Sequence, residues 1–213
     1  MEAHIFDPLA PGGRLLVFLK APRPGTVKTR LAATLGSTAA TAAYRTLVET
    51  LFTQINEWSG VELRYTPDSA ADEIHRWQRP SWVLAPQGDG DLGQRMVRAF
   101  AEHFAAGAQK ILIIGADCPD VTPTDLLSAW VALDRDDLVI GPANDGGYWL
   151  VGLRAPCPEL FHGIAWSTDQ VLAETLTKAR AAGLAVARLR TLTDVDTEVE
   201  WRSWQARNPA AGI

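Results

Sequence analysis

Residues 110–120, KILIIGADCPD, decide the fold of this chain. The apolar run 111–114 is too short for a free-standing helix and is rich in β-branched residues, so it predicts a buried strand of a parallel sheet. Gly115 and Ala116 let the backbone pass close to another group, and Asp117 stands where the strand ends. Because ligands of open α/β sheets bind beyond the carboxyl ends of the strands, Asp117 is a candidate ligand of a hard cation and, through it, of a phosphate. The alternative is a solvated turn acid that caps the next helix.

The composition is that of one soluble globular domain. Of 213 residues, 47% are hydrophobic and 21% are charged. The formal net charge is −5, and no block of Lys or Arg stands out, which argues against nucleic acid or an anionic membrane as the main partner. Cys118 and Cys157 form neither a CxxC pair nor a disulfide framework, as is typical of a reducing compartment. Without a signal-peptide pattern or an apolar run near the ~20 residues of a membrane span, the sequence predicts a cytoplasmic protein.

The second candidate segment is the loop that follows the first predicted strand, residues 14–20. Pro22 and Pro24 exclude helix and strand pairing there, and Gly25 permits a positive φ, so the loop has a defined shape. With its flanks it carries a cluster of positive charge, namely Lys20, Arg23, Lys28 and Arg30. Cations beside backbone N–H groups at a helix start are typical of a phosphate site, and the alternative is a solvated basic turn. A P-loop is excluded, because Val27 and Pro22 stand where that motif needs glycine.

The rest of the chain alternates apolar strands with helices, which predicts right-handed βαβ crossovers in a single α/β domain over residues 14–207. A loose tail is expected over residues 1–13. Further strands are predicted at about 61–66, 82–85, 137–141, 148–153 and 184–190. Helices are predicted at about 26–35, 37–58, 67–77, 92–106, 122–133, 167–182 and 198–207. The expected N-terminal caps are Ser37, Asp91, Thr122, Ser167 and Thr197.

Three further segments carry residues suited to binding. Residues 86–95 contain glycines that let the backbone either approach a flat ligand or bend sharply. Asp145 is followed by paired glycines and two aromatic residues. This pattern suits either the binding of a polar ring or a plain turn. Asp194 and Asp196 point the same way if the backbone is extended, an arrangement suited to metal binding. Their alternative role is to stabilise the start of the last helix.

Five segments, taken in chain order, resemble one known family. They are KAPRPGTVKTRL at 20–31, GDLGQRM at 90–96, IGADCP at 114–119, GPANDGGY at 141–148 and DVDT at 194–197. Over about residues 14–205 the sequence is similar to the bacterial family of small glycosyltransferase-A-like proteins, formerly a domain of unknown function, often labelled arsenosugar-biosynthesis-type glycosyltransferases. It also resembles, more distantly, the phospholactate, phosphoenolpyruvate and molybdenum-cofactor guanylyltransferases.

The resemblance implies a nucleotide-diphospho-sugar transferase fold, in which a mixed, mostly parallel sheet lies between helices in three layers. It implies a nucleotide above the carboxyl ends of the first strands, with its phosphates at Lys20, Arg23, Gly25, Lys28 and Arg30. The residues implied beside the base are Gly90, Leu92 and Gly93. A divalent cation, Mg²⁺ or Mn²⁺, is implied at Asp117, Asp194 and Asp196. The acceptor or sugar is implied at Asp145, Gly146, Gly147 and Tyr148, and the implied catalytic residues are Asp117 and Lys28.

The expected activity is a metal-dependent transfer from a nucleotide-activated donor to a small acceptor molecule. A nucleotide-sugar-dependent glycosyltransferase is favoured, because the nearest resemblance carries that activity. The alternative is nucleotidylyl transfer from a nucleoside triphosphate, since Cys118 and Pro119 follow Asp117 where many glycosyltransferases of this fold have Asp-x-Asp. A non-catalytic nucleotide-binding module is a further alternative. Eight Trp residues are many for this length, so a homodimer is also considered.

Overall fold

A computed structural model describes residues 12–209 of the protein. Its strands are β1 (Gly13–Lys20), β2 (Val61–Thr66), β3 (Val83–Pro86), β4 (Lys110–Gly115), β5 (Leu138–Pro142), β6 (Tyr148–Leu153) and β7 (Val186–Arg188). Its α-helices are α1 (Thr29–Leu35), α2 (Ser37–Gln54), α3 (Ala71–His75), α4 (Leu92–Ala105), α5 (Pro123–Ala132), α6 (Val171–Ala181) and α7 (Glu198–Arg207). Short 3₁₀ turns lie at Asp68–Ala70 and Pro158–Leu160.

The strands of the described chain form a single sheet in the order β3-β2-β1-β4-β6-β5-β7. Strands β1, β2, β3 and β4 are parallel to one another, β7 is parallel to β5, and β6 runs antiparallel to both β4 and β5. The predicted mixed, mostly parallel sheet is therefore confirmed. Because every strand except β6 points the same way, the chain segments that follow β1, β4 and β7 leave the sheet at one edge.

Helices cover both faces of the sheet, which confirms the predicted three-layer α/β/α architecture. Successive side chains of a strand point to opposite faces, and in β4 Leu112 and Ile114 join one core cluster while Ile111 and Ile113 join the other. The first cluster contains buried residues of α2, α3 and α5, and the second contains residues of α4 and α6. A third, smaller cluster packs α7 against α1 and α2 and includes Val195. The packing of α7 therefore also fixes the chain just before it.

The predicted helix caps are partly confirmed. Capping boxes with reciprocal hydrogen bonds form at Asp91 with Gln94, at Thr122 with Asp125 and at Thr197 with Glu200. The other two predictions are wrong. Ser37 lies inside α2, because Gly36, at φ 82°, takes the position before the helix. Ser167 lies in a turn at φ 65°, and α6 begins only at Val171.

Strands β2 and β6 have the predicted bounds, whereas several other elements are shorter than predicted. Helix α1 begins at Thr29 rather than near residue 26, because Lys28 adopts the left-handed conformation with φ 47° and ψ 50°. Helices α2 and α3 end earlier than predicted, at Gln54 and His75. Strand β7 is likewise shorter than the predicted 184–190. Strand β1 includes Gly13, so the expected tail otherwise lies almost entirely outside the described residues.

The tryptophans lie mainly in the cores of the chain. Six of them are between 1% and 8% exposed, namely Trp58, Trp77, Trp82, Trp149, Trp201 and Trp204. Their abundance therefore gives no support for an interface, and the homodimer stays a prediction. Across residues 12–209, no helix combines the length and the apolar character that a bilayer crossing requires.

A buried charge network ties the sheet to α4. Arg64 on β2 is 4% exposed, and it donates hydrogen bonds to Glu62 of the same strand and, at 2.5 Å, to Glu102 of α4. His103, also on α4, lies 3.2 Å from Glu62. Burial opposes ionisation of Glu62, but the hydrogen bond with His103 and the charge of Arg64 outweigh it, so the pKa of Glu62 lies below its ordinary value of 4.5. Removing one member of such a network leaves a buried charge without its partner.

We expect Glu62→Gln to lower the free energy of unfolding by roughly 2–4 kcal/mol at neutral pH, because Arg64 then keeps its buried charge without this carboxylate. The matched control is Glu102→Gln, at a side chain that is 48% exposed, and it should cost less than about 1 kcal/mol. A carboxylate with a depressed folded pKa stabilises the protein above its unfolded pKa, and this contribution is lost as pH falls through the folded pKa. Urea unfolding should therefore show the Glu62→Gln deficit at neutral pH and its progressive loss below about pH 4. A deficit of constant size over that range would contradict the role of the Glu62 carboxylate.

Candidate active site

The side chain of Lys28 connects two aspartates that lie far apart in the sequence. Its ammonium Nζ lies 2.7 Å from Oδ1 of Asp196 and 3.2 Å from Oδ2 of Asp117. The Lys28 side chain is only 3% exposed, whereas those of Asp117 and Asp196 are 43% and 37% exposed. The lysine therefore reaches the two carboxylates from inside the protein, and both carboxylates keep an open side toward solvent.

The sheet topology places these three residues at its carboxyl edge. Lys28 lies between β1 and α1, Asp117 follows the neighbouring strand β4, and Asp196 precedes α7. The backbone N–H of Val195 donates to the carbonyl oxygen of Asp117 at 3.4 Å. The segment before α7 thus runs beside the end of β4, which brings the two aspartates to the same point.

The ion pairs shift the proton affinity of the groups that form them. The positive charge of Lys28 lowers the pKa of Asp117 and more than offsets the opposing effect of burial. Burial alone would lower the pKa of Lys28, but the charges of Asp117 and Asp196 raise it above its ordinary value of 10.5. Near neutral pH, Lys28 is therefore positively charged and Asp117 is negatively charged.

Asp194 lies near Asp117 and Lys28, and one of its carboxyl oxygens has no hydrogen-bond partner among the described residues. Its Oδ1 atom is buried and has no hydrogen-bond partner within the described part of the chain. Burial, together with the nearby negative charges of Asp117 and Asp145, raises the pKa of Asp194 to about 8. A buried carboxylate oxygen without a donor is a position at which a bound cation would be stabilised.

These carboxylates do not form a complete metal-ligand set in this conformation. Among residues 12–209, no group of three or more His, Cys, Asp or Glu side chains is arranged to hold a metal ion. The implied cation site at Asp117, Asp194 and Asp196 therefore stays a prediction. The ammonium of Lys28 lies between the carboxylates of Asp117 and Asp196.

The remaining cations of the basic loop differ in their surroundings. Arg23 donates to both carboxylate oxygens of Glu73 on α3, at distances of 2.5, 2.9 and 3.1 Å, so its charge is already paired. Lys20 and Arg30 are exposed. Gly25 has φ 82°, and apart from its chain neighbours no heavy atom of the described residues lies within 4 Å of the place where a Cβ would stand. The loop thus presents Lys20 and Arg30 to solvent beside an open surface, whereas the charge of Arg23 is neutralised by an ion pair.

The glycine-rich loop expected beside the base is only partly open. Gly90 has φ 99°, which favours glycine, and Leu92 is 43% exposed at the start of α4. Gly93 is buried, and a Cβ there would lie 2.5 Å from the carbonyl oxygen of Phe161 and 2.8 Å from the ring of Trp166. Gly93 therefore permits close packing of α4 against that segment, and its implied place beside the base stays a prediction.

Gln87 and Arg95 hold the same loop in place, and the sequence analysis does not identify them. The side-chain amide of Gln87, a residue that is 5% exposed, donates to the carbonyl oxygens of Leu19 at 3.1 Å and Arg64 at 2.8 Å. Arg95 donates to the side-chain oxygen of Gln87 at 3.1 Å and to the carbonyl oxygen of Gly90 at 2.9 Å. These contacts connect the loop to the ends of β1 and β2. A glutamine in a polar loop carries no local signal of such burial.

Glu200 is a third residue that the sequence analysis missed as part of the site. Its carboxylate accepts hydrogen bonds from the backbone N–H groups of Asp196 at 2.8 Å and Thr197 at 2.7 Å. It therefore fixes the backbone that carries the Asp196 carboxylate. The capping-box spacing of Thr197 and Glu200 is the signal that could have found it.

The Asp145 loop is a tight turn packed against the segment before α6. Asp145 is exposed and accepts a hydrogen bond from the N–H of Gly147 at 2.9 Å, as in a plain turn. Gly146 has φ 88°, and a Cβ there would lie 2.2 Å from the carbonyl oxygen of Asp169. The hydroxyl of Tyr148 is buried, and its ring packs on the second core cluster. Asp145 is thus exposed, whereas Gly146, Gly147 and Tyr148 are half-buried, and the implied acceptor role of these four residues stays a prediction.

Comparison with known proteins now identifies the family. The profile of DUF2064, a family of uncharacterized proteins conserved in bacteria, matches residues 50–168. This chain belongs to DUF2064. The family expected from the five ordered segments is thereby confirmed. A search among curated proteins gave no match.

Solved structures that resemble this DUF2064 protein share its fold. A proposed nucleotide-diphospho-sugar transferase from Desulfovibrio desulfuricans G20 is 33% identical, with a TM-score of 0.86 over 92% of this chain and 87% of that chain. A CMP:2-keto-3-deoxy-manno-octonic acid synthetase complexed with CTP is 9% identical, with a TM-score of 0.59 over 94% and 99% of the two chains. Rv0371c from Mycobacterium tuberculosis H37Rv, complexed with manganese, is 15% identical, with a TM-score of 0.52 over 91% and 97%. The last two likenesses concern the fold alone, and the expected nucleotide-diphospho-sugar transferase fold is confirmed.

We expect Gly146→Ala to destabilise this DUF2064 protein, since the new methyl group would lie 2.2 Å from the carbonyl oxygen of Asp169. The matched control is Gly163→Ala, at φ 64°, where no atom from elsewhere in residues 12–209 lies within 4 Å of the Cβ position. In the control, the left-handed backbone strain alone should lower the free energy of unfolding by about 1 kcal/mol. Gly146→Ala should lower it by about 2 kcal/mol more. Differential scanning calorimetry measures the two losses. Equal losses would show that the contact with Asp169 does not restrict this position.

Proposed function

We propose that this DUF2064 protein is a metal-dependent transferase that takes a nucleotide sugar as donor and transfers the sugar to a small acceptor. The observation that carries the proposal is the cluster of Lys28, Asp117 and Asp196 at the carboxyl edge of the sheet. Ligands of open α/β sheets bind at this edge. The 33% identity with a proposed nucleotide-diphospho-sugar transferase supports the same class of donor.

The donor diphosphate would lie above the end of β1. A protein with a net charge of −5 needs its positive charge gathered locally to bind a diphosphate, and Lys20 and Arg30 are exposed cations at this end. The open surface at Gly25 leaves room for the ligand beside them. Lys28 would add a buried charge once its ion pairs with Asp117 and Asp196 were broken, and a buried charge acts more strongly than an exposed one because the surrounding dielectric constant is lower.

Asp117, Asp194 and Asp196 fit a divalent cation by their chemistry. Carboxylate oxygens are preferred ligands of Mg²⁺ and Mn²⁺, and the buried Oδ1 atom of Asp194 has no hydrogen-bond donor among the residues that the structure describes. When bound, such an ion would offset the negative charge that develops on the leaving nucleoside diphosphate. Glu200 would hold Asp196 in place through the two backbone N–H groups it accepts from. The manganese complex of Rv0371c makes Mn²⁺ a reasonable probe ion.

The acceptor would bind near the Asp145 turn. Asp145 is exposed, and it lies close enough to Asp194 for its charge to raise the pKa of that group. A carboxylate in this position is suited to accept hydrogen bonds from the hydroxyl groups of a sugar or an acceptor. Gly146 and Gly147 would shape the turn that presents it.

Nucleotidylyl transfer is a second candidate, favoured by one feature of the sequence. Cys118 and Pro119 follow Asp117, where many glycosyltransferases of this fold have a second acid. In nucleotidylyl transfer, an acceptor phosphate attacks the α-phosphorus of a nucleoside triphosphate and pyrophosphate leaves. The same basic loop and aspartates would serve this reaction, because it also places a diphosphate-type leaving group at the carboxyl edge of the sheet.

Product analysis separates the two reactions. Nucleotide sugars and nucleoside triphosphates of each common base are first screened by thermal shift with and without Mg²⁺, since a ligand of the folded protein raises its Tm. Release of a nucleoside diphosphate from a nucleotide sugar would support glycosyl transfer, and release of pyrophosphate from a triphosphate would support the second candidate. Binding that does not depend on the cation, without turnover of any donor, would instead indicate a non-catalytic nucleotide-binding module.

Asp117→Asn should remove the cation-dependent part of the Tm increase and reduce turnover at least about 100-fold, while the unliganded protein stays folded. The matched control is Asp120→Asn, which removes the same charge nearby. It is a control because Asp120 pairs with Arg207 at 2.8 Å rather than with Lys28. The control should keep the cation-dependent shift. An unchanged shift in Asp117→Asn would remove Asp117 from the site.

A further inference from the structure

We propose that Lys28 holds the place of the divalent cation in the unliganded protein, so that the metal binds well only with a nucleotide that draws Lys28 away. This inference rests on the proposed function and assigns an order of events to the same site. The residue that moves is Lys28, and its movement can be tested by measuring the binding of a metal ion, without any measurement of turnover.

The ammonium of Lys28 already contacts two of the carboxylates that would hold the cation. Its Nζ lies 2.7 Å from Asp196 and 3.2 Å from Asp117, and both carboxylates belong to the proposed metal site. A divalent cation on the same two carboxylates would stand close to a positively charged lysine, and the two charges would repel each other. Lys28 and the metal therefore compete for Asp117 and Asp196 as long as the ammonium stays in this position.

The backbone of Lys28 is held in place, so the competition would be relieved by movement of its side chain. The carbonyl oxygen of Lys28 accepts the N–H of Ala32 at 2.8 Å, so its backbone is part of the start of α1. Its backbone has φ 47° and ψ 50°, a conformation that residues other than glycine rarely adopt and that tends to persist at ligand sites. The flexible four-carbon side chain can reorient without disturbing this backbone.

A bound diphosphate would give Lys28 an alternative partner. Lys28 lies in the loop between β1 and α1, and the exposed cations Lys20 and Arg30 lie at the end of β1 and the start of α1. The open sides of Asp117 and Asp196 would then be free for a cation that arrives with the nucleotide. By thermodynamic linkage, the nucleotide strengthens metal binding by the same factor by which the metal strengthens nucleotide binding.

The test is equilibrium dialysis of Mn²⁺ against the full chain, alone and with CDP, GDP, UDP or ADP, with protein-bound Mn²⁺ as the measured quantity. Lys28→Met should bind Mn²⁺ alone at least roughly tenfold more tightly than the wild type, because the competing charge is gone. The matched control is Lys178→Met on α6, whose helix packs on the opposite face of the sheet from α2, and it should bind Mn²⁺ like the wild type. A nucleoside diphosphate should strengthen Mn²⁺ binding at least roughly tenfold in the wild type and much less in Lys28→Met.

Each contrary outcome has a distinct meaning. Equal or weaker Mn²⁺ binding by Lys28→Met would overturn the inference and leave the proposed function standing. An equal effect of the nucleoside diphosphate on the two proteins would also overturn it, because Lys28 would then be a permanent counter-ion. Absence of Mn²⁺ binding by every protein, with or without any of the nucleotides, would overturn the proposed metal-dependent function and the inference together.

Two measurements test the inference if circular dichroism shows that Lys28→Met does not fold. Lys28→Arg keeps the positive charge, so it should bind Mn²⁺ alone as weakly as the wild type. In the wild type, a nucleoside diphosphate must still strengthen Mn²⁺ binding. Tight Mn²⁺ binding by Lys28→Arg alone, or no strengthening by any nucleotide in the wild type, would overturn the inference.

Discussion

The ion pairs of Lys28 with Asp117 and Asp196 join three distant parts of the chain at the carboxyl edge of the sheet. A buried ammonium without a carboxylate would be costly, and two neighbouring carboxylates without a cation would repel each other, so each group depends on the others. The backbone contact of Val195 with Asp117 and the packing of α7 hold the third segment in place. In the candidate site the charges of Lys28, Asp117 and Asp196 thus offset one another, and a bound cation or phosphate would have to change these ion pairs.

Side chains outside this charge cluster keep the surrounding loops in one conformation. Gln87 and Arg95 connect the glycine-rich loop to the ends of β1 and β2, and Glu200 fixes the backbone at Asp196. The Asp145 turn is held by the close approach of Gly146 to the segment before α6. Loops that are already ordered lose little conformational freedom when a ligand binds, so the movement required at the site is confined largely to Lys28.

The fold was predictable because its signals are local. The apolar run of β4 and the capping box at Thr197 are each contained within a few neighbouring residues. The site was less predictable, because its contacts are not local: Lys28 lies in the basic loop, but its partners are 89 and 168 residues away along the chain. Gly93 and Gly146 have the sequence pattern of ligand-binding glycines, yet they pack against backbone atoms of distant segments that no local pattern contains.

The most direct measurement of the site is anomalous scattering from crystals of the full chain grown with Mn²⁺ and a nucleoside diphosphate. We expect one manganese peak in contact with the carboxylates of Asp117 and Asp196 and beside Asp194. In the same map, the ammonium of Lys28 should have left both aspartates for a phosphate oxygen. A manganese peak away from these aspartates, or Lys28 still paired with both of them beside bound manganese, would contradict the shared cation site.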